Sequence, residues 1–220
     1  ETWLQSRLVG QPGAVAAVAR KVRAIRDGVV ASRAGPAVFY FYGVAGVGKT
    51  RLAELMAEAL DRPRIVLEME SYSSEEDANR LFGAPPGYGQ GYCLVDELLK
   101  RPRAVVVFDE IEKAHPSIFR EKLHSALSAG VMRHKRDRTK VATLRDVVFV
   151  FTTNCFEAEV VRLAGECDYD CVRDAMAARI NDSPRLVCSE TRPTTPFDDA
   201  SLRSRVPRTA QFPILPLAPA

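Results

Sequence analysis

The eight residues GVAGVGKT at positions 43–50 constrain this chain more than any other stretch. They match G-x-x-x-x-G-K-[ST] and stand between the apolar run AVFYFYG (residues 37–43) and KTRLAELMAEAL, in which Leu52, Leu55, Met56 and Leu60 recur at helical spacing. A glycine-rich turn from a buried strand into a helix aims backbone N–H groups, and the positive end of the helix, at an anion. The pattern therefore predicts a phosphate loop. Gly43, Val44, Ala45, Gly46, Val47 and Gly48 would wrap the phosphates, and Lys49 would neutralise the β/γ pair. Thr50 would hold Mg²⁺, with Arg51 alongside on the helix. A plain glycine turn accounts for neither the strand before it nor the helix after it.

The remaining chain repeats this strand–helix alternation. Apolar runs at residues 64–69, 104–108, 146–154 and 210–215 read as further strands. Helical spacing appears from Pro12, through Val15, Val18, Val22, Ile25 and Val29, and again near residues 74–81, 93–100, 116–129, 156–163 and 172–180. Alternating strands and helices predict an α/β fold, a parallel sheet covered on both faces.

At 220 residues the chain suffices for one large domain or one domain and a small appendage. A formal charge of +3 gives no strong case for nucleic acid or a membrane surface, and no apolar run approaches the length of a membrane span. The exception is RHKRDRTK at residues 133–140, which reads as a phosphate-contacting segment or as a solvated hairpin with Asp137 interspersed. Cys93, Cys155, Cys167, Cys171 and Cys188 are odd in number and lack zinc spacing, so five free thiols in a reducing compartment, cytoplasm or organelle interior, are expected. The first residue is Glu1 rather than Met, which suggests an excerpt or a processed chain.

Asp109 and Glu110 end the run AVVVF. A carboxylate at a strand's C-terminal edge faces the crevice where ligands of open α/β sheets bind. Asp109 can then share the Mg²⁺ with Thr50, and Glu110 can polarise an attacking water. Alone, the pair would read as acids favoured by a helix N-terminus. Asn154, at the end of VVFVFTTN, can orient that water, although an Asn leaving a strand is more often a turn former. The loop GAPPGYGQGY (residues 83–92) packs four glycines, two prolines and two tyrosines into ten residues, so its aromatics either fold back onto the domain or are displayed to a partner.

These strings together resemble the Clp-type AAA+ ATPases. The phosphate loop, the acidic strand end and the polar strand tip are similar to that family's Walker A, Walker B and sensor 1. LVGQPGAV resembles its nucleotide-flanking motif, which adds Val9 and Gly10 to the ATP site. RLFGAPPGYGQGY and DEIEKAHPSIF resemble the second ATPase module of the ClpA, ClpB and ClpC unfoldases, and SRVPRTAQFPIL the segment that carries the arginine finger.

The resemblance implies a P-loop AAA+ three-layer sandwich around a mostly parallel five-stranded sheet. It spans residues 1–217 as the large nucleotide-binding subdomain, with the helical lid absent from this chain. It further implies ATP and Mg²⁺, a homo-oligomeric ring (usually a hexamer) and threading of unfolded or aggregated protein clients. Glu110 and Asn154 would act in one subunit and Arg205 across the interface, while Tyr88 would lie on the pore loop that grips the client. That loop is shorter here than the family's. No Ile-Gly-Leu type tripeptide lies between Asn154 and Arg205, which disfavours a ClpP-type peptidase partner. The alternatives are a ring ATPase acting on nucleic acid and a nucleotide-dependent assembly scaffold with a degenerate pore loop.

Overall fold

The computed structural model describes residues 2–28, 35–83, 91–182 and 211–215. Tyr88 and Arg205 lie outside these residues. The described chain runs α1 (Thr2–Gln5), α2 (Pro12–Arg26), β1 (Ala37–Gly43), α3 (Lys49–Leu60), β2 (Arg64–Glu68), α4 (Glu75–Leu81), α5 (Leu94–Lys100) and β3 (Val105–Asp109). It continues through a π-helical turn (Ile118–Leu123) into α6 (His124–Ala129), β4 (Val131–Arg133), β5 (Val141–Thr143), β6 (Val148–Thr153), α7 (Glu157–Glu166), α8 (Tyr169–Asp182) and β7 (Gln211–Ile214).

Five strands form one sheet in the order β2-β3-β6-β1-β7, every pairing parallel. Side chains of a strand alternate between faces, and β1 divides its apolar run accordingly. Val38, Tyr40 and Tyr42 enter one core cluster, and Phe39 and Phe41 the other. β3 and β6 divide in the same way: Val106, Phe108, Phe149 and Phe151 lie on one side, and Val105, Val107, Val148 and Val150 on the other. A strand buried on both faces needs a near-continuous apolar run, and these three have one. β2 alternates buried and exposed residues because it closes one edge. β7 closes the other edge, where Pro213 is tolerated because no further strand needs its missing N–H.

The basic stretch at residues 133–140 covers the last residue of β4 and the connection of an antiparallel hairpin, β4 paired with β5, separate from the main sheet. The expectation of free thiols is corrected. Cys167 and Cys171 are joined by a disulfide, their Cα atoms 5.9 Å apart, because the chain leaves α7 at Cys167 in extended backbone and turns at once into α8, whose first turn carries Cys171. Cys155 is disulfide-bonded as well, whereas Cys93 is a buried free thiol. The thiol argument for a reducing compartment therefore falls.

Among the described residues, no helix is long and apolar enough to cross a membrane.

Candidate nucleotide site

The topology assembles the site. β6 lies between β1 and β3, so the C-terminal ends of three adjacent strands bring Gly43, Asp109 and Asn154 to one edge. Gly43 has φ +137°, and a Cβ there would run into the backbone carbonyl of Ile214 on β7. Gly48 has φ +98°, and its Cβ would come within 2.9 Å of Leu8 Cδ1. Glycine is required at both positions by backbone conformation and by close approach. The Leu8 contact also seats the LVGQ segment against the phosphate loop. Beyond it, Gly10 takes φ +81° and Val9 is 84% exposed, an apolar side chain beside the loop. Gln11 is buried, and its side-chain amide grips Leu215 from both sides. Nε2 donates to the Leu215 carbonyl at 2.7 Å, and Oε1 accepts the Leu215 N–H at 3.2 Å.

Lys49 is buried at the start of α3 and donates from Nζ to the carbonyls of Gly43 (2.9 Å) and Val44 (2.6 Å). Burial lowers its pKa, against the opposing pull of Glu112, Glu157, Asp109 and Glu110. A desolvated ammonium held by loop carbonyls is poised to exchange them for phosphate oxygens. Arg51 lies on the outer face of α3, its guanidinium 2.9 Å from Glu54.

Thr50 Oγ1 donates to Asp109 Oδ1 at 2.8 Å. Asp109 Oδ1 also accepts from Thr152 Oγ1 at 2.5 Å, and Thr152 Oγ1 in turn accepts the backbone N–H of Glu110 at 3.0 Å. Glu110 has φ +52°, left-handed backbone that costs a non-glycine residue about 1–3 kcal/mol. Its carboxylate is held on both oxygens. Asn154 Nδ2 donates to Oε1 at 2.9 Å, and Lys113 Nζ lies 2.9 Å from Oε2. The Lys113 hydrogen bond is the main reason that the Glu110 pKa is lowered, with Asn154 adding to it and burial opposing. The Asn154 backbone N–H donates to Glu112 Oε1 at 2.9 Å, fixing the strand tip.

Lys49, Thr50, Asp109, Glu110 and Asn154 thus converge as the sequence suggested. Thr152 and Lys113 also belong to the site, and sequence reasoning passed over both. The signal for Thr152 was a hydroxyl residue two before Asn154 at a strand end; for Lys113 it was a cation three residues after Glu110. A hydroxyl paired with a carboxylate is the hard oxygen donor set that Mg²⁺ prefers, so Thr50 and Asp109 suit that ion.

Cys93, Asp96 and His134 also converge, with possible ligand atoms within 4.8 Å of one another. His134 Nδ1 accepts the backbone N–H groups of Arg136 (3.1 Å) and Asp137 (2.9 Å), so Nε2 carries the ring proton. A metal-bound His has the reverse arrangement, donating from its distal nitrogen. Lys140 Nζ already occupies Asp96 at 2.7 Å. The trio docks the β4–β5 hairpin and is not a cation site.

Residues 36–184 match the family model described as AAA domain (Cdc48 subfamily), and the chain belongs to that family. Its relatives place it among the Clp-type AAA+ ATPases. It is 37% identical over 172 residues to chaperone protein ClpB 2 of Thermosynechococcus vestitus, covering 76% of this chain and 19% of that protein. It is 36% identical over 168 residues to the negative regulator of genetic competence ClpC/MecB of Bacillus subtilis, covering 74% of this chain and 20% of that protein. The fold resembles the closed-state cryo-electron-microscopy reconstruction of Hsp104 with ATPγS and FITC casein. The TM-score is 0.71 at 26% identity, over 96% of this chain and 34% of that one. The chain spans about a fifth of the length of the curated relatives that it matches.

Proposed function

We propose that this chain is the ATP-hydrolysing module of a ring-forming chaperone that remodels proteins by threading them. One observation carries the catalytic half of the reading: Thr50 at the start of α3, Asp109 and Glu110 at the end of β3 and Asn154 after β6 are linked by hydrogen bonds through Thr152, next to Lys49. The phosphate loop and Lys49 bind the triphosphate, and the exposed Val9 offers the base an apolar face. Thr50 and Asp109 hold Mg²⁺, which supplies charge neutralisation to the phosphates when bound. Asn154 positions Glu110 and the attacking water, and Glu110 takes the water's proton. Arg205 reaches the γ-phosphate of a neighbouring subunit and stabilises the charge that develops there. Tyr88 contacts the threaded polypeptide, an aromatic contact with little sequence preference. Likeness to ClpB and ClpC chaperones, and to an Hsp104 structure solved with casein, supports the protein-remodelling half.

The test uses the complete natural chain carrying Glu110→Gln, so that ATP binds but is not cleaved. A photo-crosslinker replaces Tyr88, and a labelled unfolded polypeptide is added. ATP-dependent crosslinks at position 88 are expected. A ring that binds ATP yet never crosslinks there overturns threading.

A further inference from the structure

Beside the β4–β5 hairpin lies a cleft of about 500 Å³ that the nucleotide chemistry does not use. Lys122, Arg133, Lys135 and Arg138 stand on its walls, Ala129 and Val131 give it accessible apolar lining, and no carboxylate lines it among the described residues. Some exposed cations among the described residues are neutralised locally, as Arg80 is by Glu76 and Asp77, and Arg162 by Glu166. Arg133 and Arg138 are exposed and have no carboxylate partner among the described residues.

The wall that carries them is held in place. The Lys135 N–H donates to the Phe82 carbonyl at 2.9 Å, and its Nζ reaches Asn79 Oδ1 at 2.7 Å. His134 caps the turn through the N–H groups of Arg136 and Asp137, and Lys140 is anchored on Asp96. His134, Lys135 and Lys140 thus hold the hairpin, and among the described residues Arg133, Arg136 and Arg138 have no carboxylate partner, of which Arg133 and Arg138 line the cleft.

We infer that this cleft binds acidic, aliphatic-containing segments of polypeptide, so that the module prefers negatively charged stretches of its clients. The inference rests on the threading reading above and names a substrate class for it. Charge complementarity selects the occupant: unpaired guanidiniums bind carboxylates in a bidentate fork, and the apolar lining accepts an adjacent aliphatic side chain. Single-stranded nucleic acid fits less well. Its binding sites add exposed aromatic platforms for bases, whereas the aromatic rings that line the cleft among the described residues, Phe82 and His134, are 2% and 9% exposed.

The experiment measures fluorescence anisotropy of three labelled peptides, alternating Glu–Leu, Gln–Leu and Lys–Leu, on the complete ring carrying Glu110→Gln with ATP. The Glu–Leu peptide should bind about tenfold tighter than the Gln–Leu peptide, the size expected of two partly exposed ion pairs. That preference should vanish in Arg133→Gln/Arg138→Gln and reverse in Arg133→Glu/Arg138→Glu, with ATP binding measured in parallel to verify folding. Equal affinity for all three peptides overturns the cleft proposal and leaves threading intact, as does a preference unchanged in both variants. A single-stranded oligonucleotide that binds with steep salt dependence and displaces the peptide also overturns it. If no peptide binds although ATP does, the threading reading fails and the cleft proposal falls with it.

Discussion

Thr152 donates its hydroxyl hydrogen to Asp109 and, through the same oxygen, accepts the backbone N–H of Glu110. One buried hydroxyl therefore aims the carboxylate suited to the metal and pins the strained backbone of the next residue, whose carboxylate faces Asn154. A valine has the same shape and could do neither.

Thr152→Val should cost about 1–3 kcal/mol of stability, because the Glu110 N–H loses its partner. ATP turnover should fall at least tenfold, while Thr152→Ser should restore most of both. Denaturant unfolding and phosphate release measure the two effects. Turnover unchanged in a stably folded Thr152→Val protein would remove Thr152 from the machinery.

Lys113→Met should move the acid limb of the pH–rate profile to higher pH. Lys113 lowers the Glu110 pKa by hydrogen bonding its carboxylate, so the group stays ionised to lower pH than an ordinary glutamate. That stabilisation is complete above the ordinary glutamate pKa and is lost as pH falls through the lower folded value. Without Lys113 the loss begins at higher pH. A limb that does not move would show that the ion pair plays no part in the working state.

How much of this was visible in the amino-acid string depends on the range of the interaction. β1, β3 and β6 were legible because a strand buried on both faces must be apolar throughout, and Lys49 and Thr50 because the phosphate loop is a local pattern. Thr152 was not legible. Its role depends on β6 lying between β1 and β3, and no short window reveals strand order. The Gln11 contact with Leu215 spans 204 positions and left no mark beyond a polar residue before a proline. The Cys167–Cys171 bond is not legible for a different reason: an odd set of cysteines without zinc spacing reads as free thiols, and the sequence does not show that α7 ends where α8 begins.

Gln11→Ala should leave the Leu215 carbonyl and N–H without their side-chain partner. A loss of about 1–3 kcal/mol is expected, together with a raised KM for ATP, because Val9 and Gly10 lose the anchor next to them. Isothermal binding of a non-hydrolysable ATP analogue checks the second point. Unchanged affinity would separate the clamp from the nucleotide site.

Arg205→Ala should preserve ATP affinity and lower kcat by about 10³-fold or more, the weight of an arginine finger. Mixing this variant with Lys49→Ala subunits should recover part of the activity, since each supplies what its neighbour lacks. An absence of recovery in well-formed mixed rings would assign Arg205 to its own subunit.

The grip of Gln11 on Leu215 also has a mechanical meaning. Load arriving along the chain that continues past Leu215 passes through two hydrogen bonds to the residue that follows Val9 and Gly10. On the ATP-binding role proposed above, the same tension would bear on Val9 and Gly10 beside the phosphate loop, and the tightness of ATP binding would then report how hard the neighbouring parts of the molecule are pulling.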